Sequence, residues 1–382
     1  MADRKTRRNR RRNGFVEIAN AVLGLLVIGI VLAVGVLFWG GQQFYARGPA
    51  TADTTFVVER NSGATVIGQR LEDQGLISNR FVFYAGSYAL KKQREIKAGE
   101  FHIPAGASMA DILKEFTEGK PIQHAVTVPE GYTAFQAMER LKAEAVLVGD
   151  IASLPEEGTI LPQTYHFDRG ATRASVLERM QADMKAAVAD VWKNCDPEVC
   201  GPEQIVKTPE QLVILASVVE KETGIASERP QVAAVFLNRL KRGMRLQSDP
   251  TIIYGITKGV SVLGRDLKKS EIEAKNDYNT YQMEGLPKGP IANPGLDALK
   301  AVAHPAKTND LYFVAAGADP SKGHLFAPTY KQHQQNVAKY RQALRQAKID
   351  DEAEAAREAL AAQQAEAAGE DVPEDAAPAG AQ

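Results

Sequence analysis

The stretch TPEQLVILASVVEKETG, Thr208 to Gly224, decides the reading of this chain. Thr208 suits a helix N-cap and Pro209 the first helical position. Gln211 completes a T-x-x-Q capping box, and Gly224 is a natural stop. Between them Leu212, Val213, Ile214, Leu215, Ala216, Val218 and Val219 are apolar almost all round, which predicts a helix buried on most sides. Lys221 falls opposite the apolar centre. Glu222 follows Leu215, Val218 and Val219 at +7, +4 and +3, so it lies on the apolar stripe, with Glu220 farther round on the flank. A carboxylate there is costly unless it is paired or keeps its proton. The negative end of the helix dipole adds to that cost. Two readings follow for Glu222: a proton-donating acid, or a structural ion pair with Arg229 or Arg239.

A helix this apolar needs partners on every side, and its flanks supply them. Helical spacing recurs over 134–146, over 174–193 through Val176, Leu177, Met180 and Met184, and again through Val232, Val235, Phe236 and Leu240 behind a Ser227 cap. Strand-like and Gly/Pro-rich loop segments are expected from Gly243 to about 295. A short helix is expected over 296–303, a strand over 311–315 and a polar helix over 328–348. Residues 129–347 thus form the larger domain.

Residues 54–128 read as a smaller unit: a strand at 55–58, helices at 64–71 and 80–90, a strand at 98–103, a helix capped by Ser108, and a strand at 124–128. The order resembles a LysM-like carbohydrate-binding module. The fold class expected is α+β throughout both units.

Ahead of them the run RKTRRNRRR, Arg4 to Arg12, precedes an uncharged stretch from Ala21 to Trp39. Nineteen helical residues span about 29 Å, close to the hydrocarbon thickness of a bilayer. Phe38, Trp39, Phe44 and Tyr45 resemble an interfacial aromatic belt. We therefore expect a basic cytoplasmic tail at 1–19, a retained transmembrane anchor at 20–41 and a linker at 42–53. A cleaved signal peptide fits less well, because the apolar stretch is long and Ala50-Thr51-Ala52 lies far beyond it. The positive-inside rule puts the body outside the cytoplasm. Charge is concentrated at the ends: residues 1–13 carry net +6 and the low-complexity tail 348–382 net −8, while the whole chain carries −1. That balance argues against a nucleic-acid partner. Cys195 and Cys200, five residues apart, are candidates for a short disulfide outside the cytoplasm.

The remaining chemistry is narrow. The six histidines form no HExxH or other close ligand pair, so no metal site is expected. G-x-S-x-G, Walker A and G-x-G-x-x-G motifs are absent, and no cofactor is expected. Carboxylates, hydroxyls and amides remain, the groups used by enzymes acting on polysaccharides.

The run LASVVEKET (Leu215 to Thr223) resembles the signature of the endolytic murein transglycosylases. The likeness continues through SER (Ser227 to Arg229), VFLNRL (Val235 to Leu240), GMRLQSDPT (Gly243 to Thr251) and YNTY (Tyr278 to Tyr281). GLPKGPIANPG (Gly285 to Gly295), AHPAKT (Ala303 to Thr308), LYFV (Leu311 to Val314) and GHLF (Gly323 to Phe326) extend it over most of 129–345. The resemblance implies cleavage of the β-1,4 bond between N-acetylmuramic acid and N-acetylglucosamine inside glycan strands, leaving 1,6-anhydro ends. It makes Glu222 the catalytic residue, the single glutamate performing both proton transfers. It implies penicillin-binding proteins and other wall-synthesis enzymes as partners, and a single-pass inner-membrane protein with its catalytic domain in the periplasm.

Gln247, Ser248 and Asp249 offer amide, hydroxyl and carboxylate groups just before Pro250, and Tyr278, Asn279 and Tyr281 offer a stacking face for sugar rings. Glu220 joins them as a candidate substrate contact. His304 and His324 read as structural. Two other functions stay open: a non-catalytic peptidoglycan-binding scaffold, and a water-using muramidase with Asp249 or Glu220 as second carboxylate.

Overall fold

The computed structural model describes residues 5–369; the first residues of the basic tail and the last of the acidic tail lie outside the described residues. The architecture is α+β, with one apolar helix at the N-terminal end. The chain divides into two compact units. One comprises residues up to Ala125 with Val146–Val148 and His166–Thr172. The other comprises Val126–Ala145, Gly149–Tyr165 and the chain from Arg173 on.

The first unit runs α1 (Lys5–Tyr45), β1 (Thr54–Val58), α2 (Ala64–Asp73), α3 (Arg80–Ala89), β2 (Gly99–Ile103), α4 (Met109–Glu118) and the start of β3 (Gln123–Thr127). Strands β1 and β2 pair antiparallel with Phe56 opposite Phe101. Both rings pack on Phe116 of α4, with centroids 5.5 and 5.2 Å away. Asn79 caps α3 by accepting from the amides of Phe81 and Val82, and Ser108 and Asp111 close a capping box on α4. The segment 42–53 is not a free linker. Helix α1 continues to Tyr45, Phe44 is buried in the core of this unit, and Gly48 and Ala50 exchange backbone hydrogen bonds with Gly106. Gly86 lets α3 pass that close, since a Cβ there would fall 2.4 Å from the Phe44 ring.

The second unit contains α5 (Ala134–Ala143), α6 (Arg173–Lys193), α7 (Pro209–Glu222), α8 (Arg229–Lys241), α9 (Asp249–Thr257), α10 (Lys269–Glu273), α11 (Leu296–Ala303), the hairpin β5 (Tyr312–Ala315) and β6 (His324–Ala327), and α12 (Tyr330–Gly369). Strand β4 (Thr164–Asp168) pairs with β3, and the division between the units runs through both strands. Helix α7 is the centre of this unit, packed by α6, α8 and α11. Leu212, Leu215, Val218 and Val219 meet Val232, Phe236, Leu299 and Val302 in one core. Each such side chain contributes about 1.5–3 kcal/mol by burial, which is what holds the end of α7 in place. Cys195 and Cys200 are joined by a disulfide in the turn after α6.

Four local expectations change. Thr208 caps α7, but Gln211 takes the Lys207 amide instead of closing a box. A short 3-10 turn, Ala226–Glu228, opens α8 without a cap from Ser227. The strand-like run after Ser248 is helix α9, because Pro250 in the first turn and the Ser248 start outweigh its β-branched residues. The last helix continues past Lys348 to Gly369.

Candidate active site

Glu222 is the last residue of α7, and its carboxyl is met from α9. Ser248 occupies the N-cap of α9, where a serine normally accepts from the helix amides. Here it makes no such cap bond; its hydroxyl donates to Oε1 of Glu222. The carboxyl therefore sits between the negative end of one helix and the positive end of another. Burial pushes the Glu222 carboxyl up to about 7. The Ser248 bond opposes that rise, the charge of Asp249 adds to it, and charge on His324 and Arg239 opposes it. At neutral pH the group is poised between acid and base.

Ser248 is itself rigidly held. Its amide donates to Thr280 Oγ1 (3.0 Å), Thr251 Oγ1 donates to its carbonyl (2.6 Å), and the two threonine hydroxyls meet at 2.9 Å. Thr251 and Thr280 are fully buried, and sequence reasoning missed both. Gln247 sits in the left-handed region at φ 51°, exposed, with its amide donating to the Thr280 carbonyl. Asp249 is exposed and accepts from the Tyr281 hydroxyl at 2.6 Å. Burial first, then Asp249, raises the Tyr281 hydroxyl. Ser248, Asp249 and Tyr281 are thus gathered around Glu222.

Three expected site residues are placed otherwise. Asn279 is fully buried; its Nδ2 donates to the carbonyls of Glu271, Ile272 and Ala274, and its Oδ1 accepts from the Tyr281 amide. It holds the loop that carries Tyr281 and leaves no polar group facing open space. Tyr278 packs on Tyr254 at 4.8 Å, with the Lys258 ammonium 4.6 Å from its ring centre. Glu220 exposes less surface than Glu222 and carries the ion pair. Arg229 donates to it at 2.9 Å and to Glu130 at 2.8 Å, and the Gly295 amide donates to it at 2.9 Å. Of the two expected partners of Glu222, Arg229 serves Glu220 and Arg239 bonds backbone carbonyls, and among the described residues Glu222 takes part in no ion pair.

Arg239 and the Glu228–His324 pair are further neighbours. Arg239 is buried, with its guanidinium donating to the carbonyls of Leu311 and Leu246. Burial lowers its pKa, while the charge of Glu222 works against that. His324 bonds Glu228 through both its ring Nδ1 (2.7 Å) and its amide (2.8 Å). Burial would raise Glu228, but these bonds hold it below its ordinary value. One other carboxyl is raised to about 7 by burial. Glu157 accepts from the Ala134 amide (2.7 Å) and from Asn293 Nδ2 (3.2 Å), tying three loops together. A cavity of about 370 Å³ opens beside the end of α7, lined by Lys221, Pro250, Tyr254, Arg265, Ile291 and Thr133. Among the described residues no three His, Cys, Asp or Glu side chains cluster as metal ligands would.

Residues 56–339 match the YceG-like family. An endolytic murein transglycosylase of Streptococcus pneumoniae is 30% identical over 374 residues, covering 84% of this chain and 65% of that protein. The chain thus spans just under two thirds of that relative's length. An endolytic murein transglycosylase of Bacillus subtilis is 28% identical over 345 residues, covering 81% of this chain and 91% of that protein. Among solved structures, a yceG-like protein from Listeria monocytogenes superposes with a TM-score of 0.46 at 25% identity, covering 74% of this chain and 98% of that one.

Proposed function

The chain belongs to the YceG-like family, and on that premise we propose that it is a membrane-anchored peptidoglycan lytic transglycosylase that uses Glu222 as its single general acid and base. The observation that carries this is the Glu222 carboxyl, raised to about 7 at the end of a buried helix and bonded by Ser248. Its proton is available near neutral pH, and its conjugate base is not locked in an ion pair. In the reaction proposed, Glu222 protonates the leaving O4 of the bond between N-acetylmuramic acid and N-acetylglucosamine. The resulting carboxylate then takes the proton of the muramic acid C6 hydroxyl as that oxygen attacks C1. The bond to O4 breaks, a 1,6-anhydro ring closes, and no water is consumed. One carboxyl suffices because substrate supplies the nucleophile, whereas hydrolases of this bond use two. The names of the relatives from S. pneumoniae and B. subtilis support this class of reaction.

The apolar helix Phe15–Tyr45 supports a single-pass inner-membrane anchor, with the basic end cytoplasmic and the catalytic unit periplasmic. The β-α-α-β order of residues 54–103, with its two strands paired antiparallel, supports a LysM-like module that holds glycan strands. Anhydro ends cannot be extended further, so the reaction sets strand length, and synthases such as penicillin-binding proteins are the partners proposed. The domain limits proposed are 54–128 for the module and 129–347 for the catalytic domain.

The test is mass spectrometry of the products formed by the full chain, in detergent, on purified sacculi. Products lacking one water support the proposal, and Glu222→Gln removes them while leaving fold and sacculus binding intact. Reducing ends that carry the extra water would replace it with the muramidase reading. Binding without products, unaffected by Glu222→Gln, would replace it with the scaffold.

A further inference from the structure

Helix α3 turns an uncharged aromatic face outward. Between Arg80 and Lys91 no residue carries a charge. Phe81, Tyr84 and Tyr88 are spaced at i, i+3 and i+7, so they share one side of the helix. They are 68%, 43% and 62% exposed, and Leu90 just beyond is 48% exposed. The opposite side, through Val82, Phe83 and Ser87, fills the core of the first unit. Large apolar side chains scattered singly over a surface need no explanation, but a contiguous aromatic stripe does.

The stripe is continuous with the anchor. A groove of about 430 Å³ lies between α1 and α3, with Leu37, Trp39 and Tyr45 on one side and Phe81, Ala85 and Ala89 on the other. The two helices are locked together where the Phe44 ring meets Gly86. Leu37 lies about 3 Å of helix rise before Trp39, the last residue of the apolar stretch. Whatever depth Leu37 occupies, the α3 residues across the groove share it. Arg80, Lys91 and Arg94 flank the stripe, as cations flank apolar segments that lie at phosphate-bearing headgroups.

From this geometry we propose that α3 docks in the interfacial layer of the bilayer that α1 spans. Its Phe81–Tyr84–Tyr88 face lies among headgroups and upper acyl carbons, and lipid acyl chains fill the groove. The first unit is then held at the membrane by two elements. The proposal rests on the reading of α1 as a membrane span.

The test uses the full chain with Tyr88→Cys, labelled with a polarity-sensitive fluorophore and reconstituted in vesicles of phosphatidylethanolamine and phosphatidylglycerol. Cys195 and Cys200 are bonded to each other and take no label. Leu37→Cys gives the signal inside the membrane, and Phe81→Cys repeats the measurement should the first variant misfold. We expect nitroxide on acyl carbon 5 to quench the label at 88 at least about half as strongly as at 37, with protection from iodide in the buffer. Iodide quenching without nitroxide quenching overturns the proposal in favour of a face open to water. Protection from both overturns it in favour of cover by a second copy. If the chain fails to float with the vesicles at all, the anchor reading falls and takes this proposal with it.

Discussion

The Ser248 hydroxyl donates to Oε1 of Glu222 and thereby joins the end of α7 to the start of α9. The serine leaves its own helix without a side-chain cap to do so. A cap of this kind is worth about 1 kcal/mol, so α9 gives up stability at the position where the proposed acid needs a partner. Such a trade is what a functional contact looks like against a structural background.

Ser248→Ala therefore acts on chemistry more than on folding. A donor to a carboxylate favours its ionised form, so removing it raises the Glu222 pKa further. The proposed first step needs the protonated form, and activity falls as pH rises through that pKa. We expect the alkaline limb of the pH–rate profile for anhydro-product release to move to higher pH. The maximal rate should drop about tenfold from lost orientation of the acid, equivalent to about 1.4 kcal/mol in the barrier. An unmoved limb would mean that the contact does not tune the acid.

Asp249→Asn moves the limb the other way. The negative charge of Asp249 helps hold the proton on Glu222; without it the carboxyl ionises more readily and the alkaline limb shifts to lower pH. In the transglycosylase the accompanying loss of rate is under about tenfold. A muramidase using Asp249 as its second carboxylate would lose about 100-fold or more, the usual scale for removing a positioned acid or base. The pH–rate profile and the product masses together decide between them.

Asn279→Ala separates a loop support from a sugar contact. Substitution takes the donor from the Ala274 carbonyl and the acceptor from the Tyr281 amide, while the Ile272 carbonyl keeps Gln282 Nε2. Buried groups left unpaired cost about 1–3 kcal/mol each. We expect a clear fall in Tm, together with loss of activity through displacement of Tyr281. A rise in KM at unchanged Tm would instead return Asn279 to the substrate.

Much of this was legible in the sequence because it rests on local rules. The cap and proline of α7, its apolar run and its glutamate end are set by neighbours within a few residues. The Ser108–Asp111 box and the uncharged stretch of α1 are equally local. What was illegible depends on tertiary partners. Helical phase put Glu222 on the stripe and Glu220 on the flank, yet it is Glu220 that carries the ion pair, because Arg229 and the Gly295 amide arrive from distant segments to meet it. The Thr251–Thr280 contact joins residues 29 apart and has no periodicity to betray it. The one available signal was the presence of hydroxyls in both SDPT and YNTY. Asn279 looked like a sugar ligand because an amide in a Tyr-rich loop has the right chemistry; its burial against three carbonyls is visible only in the fold.

The two glutamates of α7 should respond in opposite directions when each is changed to glutamine, and pH should expose the difference. The folded-state pKa of Glu222 is about 7, above the ordinary 4.5. The folded protein therefore holds this proton more tightly than the unfolded chain does, and ionising Glu222 opposes folding. That penalty is absent below about pH 4.5, grows between 4.5 and 7 and is complete above 7, where it amounts to at most roughly 3 kcal/mol. Glu222→Gln should raise Tm at pH 8 and leave it nearly unchanged at pH 4. Burial raises Glu220 as well, but its removal leaves the Arg229 guanidinium buried with Glu130 at 2.8 Å and the more distant, exposed Asp297 at 3.9 Å. An under-compensated buried charge outweighs the relief, so Glu220→Gln should lower stability at pH 8 by about 2–3 kcal/mol, less than for a wholly unpaired cation because Glu130 and Asp297 persist. Thermal unfolding of both variants at the two pH values checks this. A loss of Tm at pH 8 in both would show that Glu222, too, is held as a structural anion, and would remove the physical basis for its role as the acid.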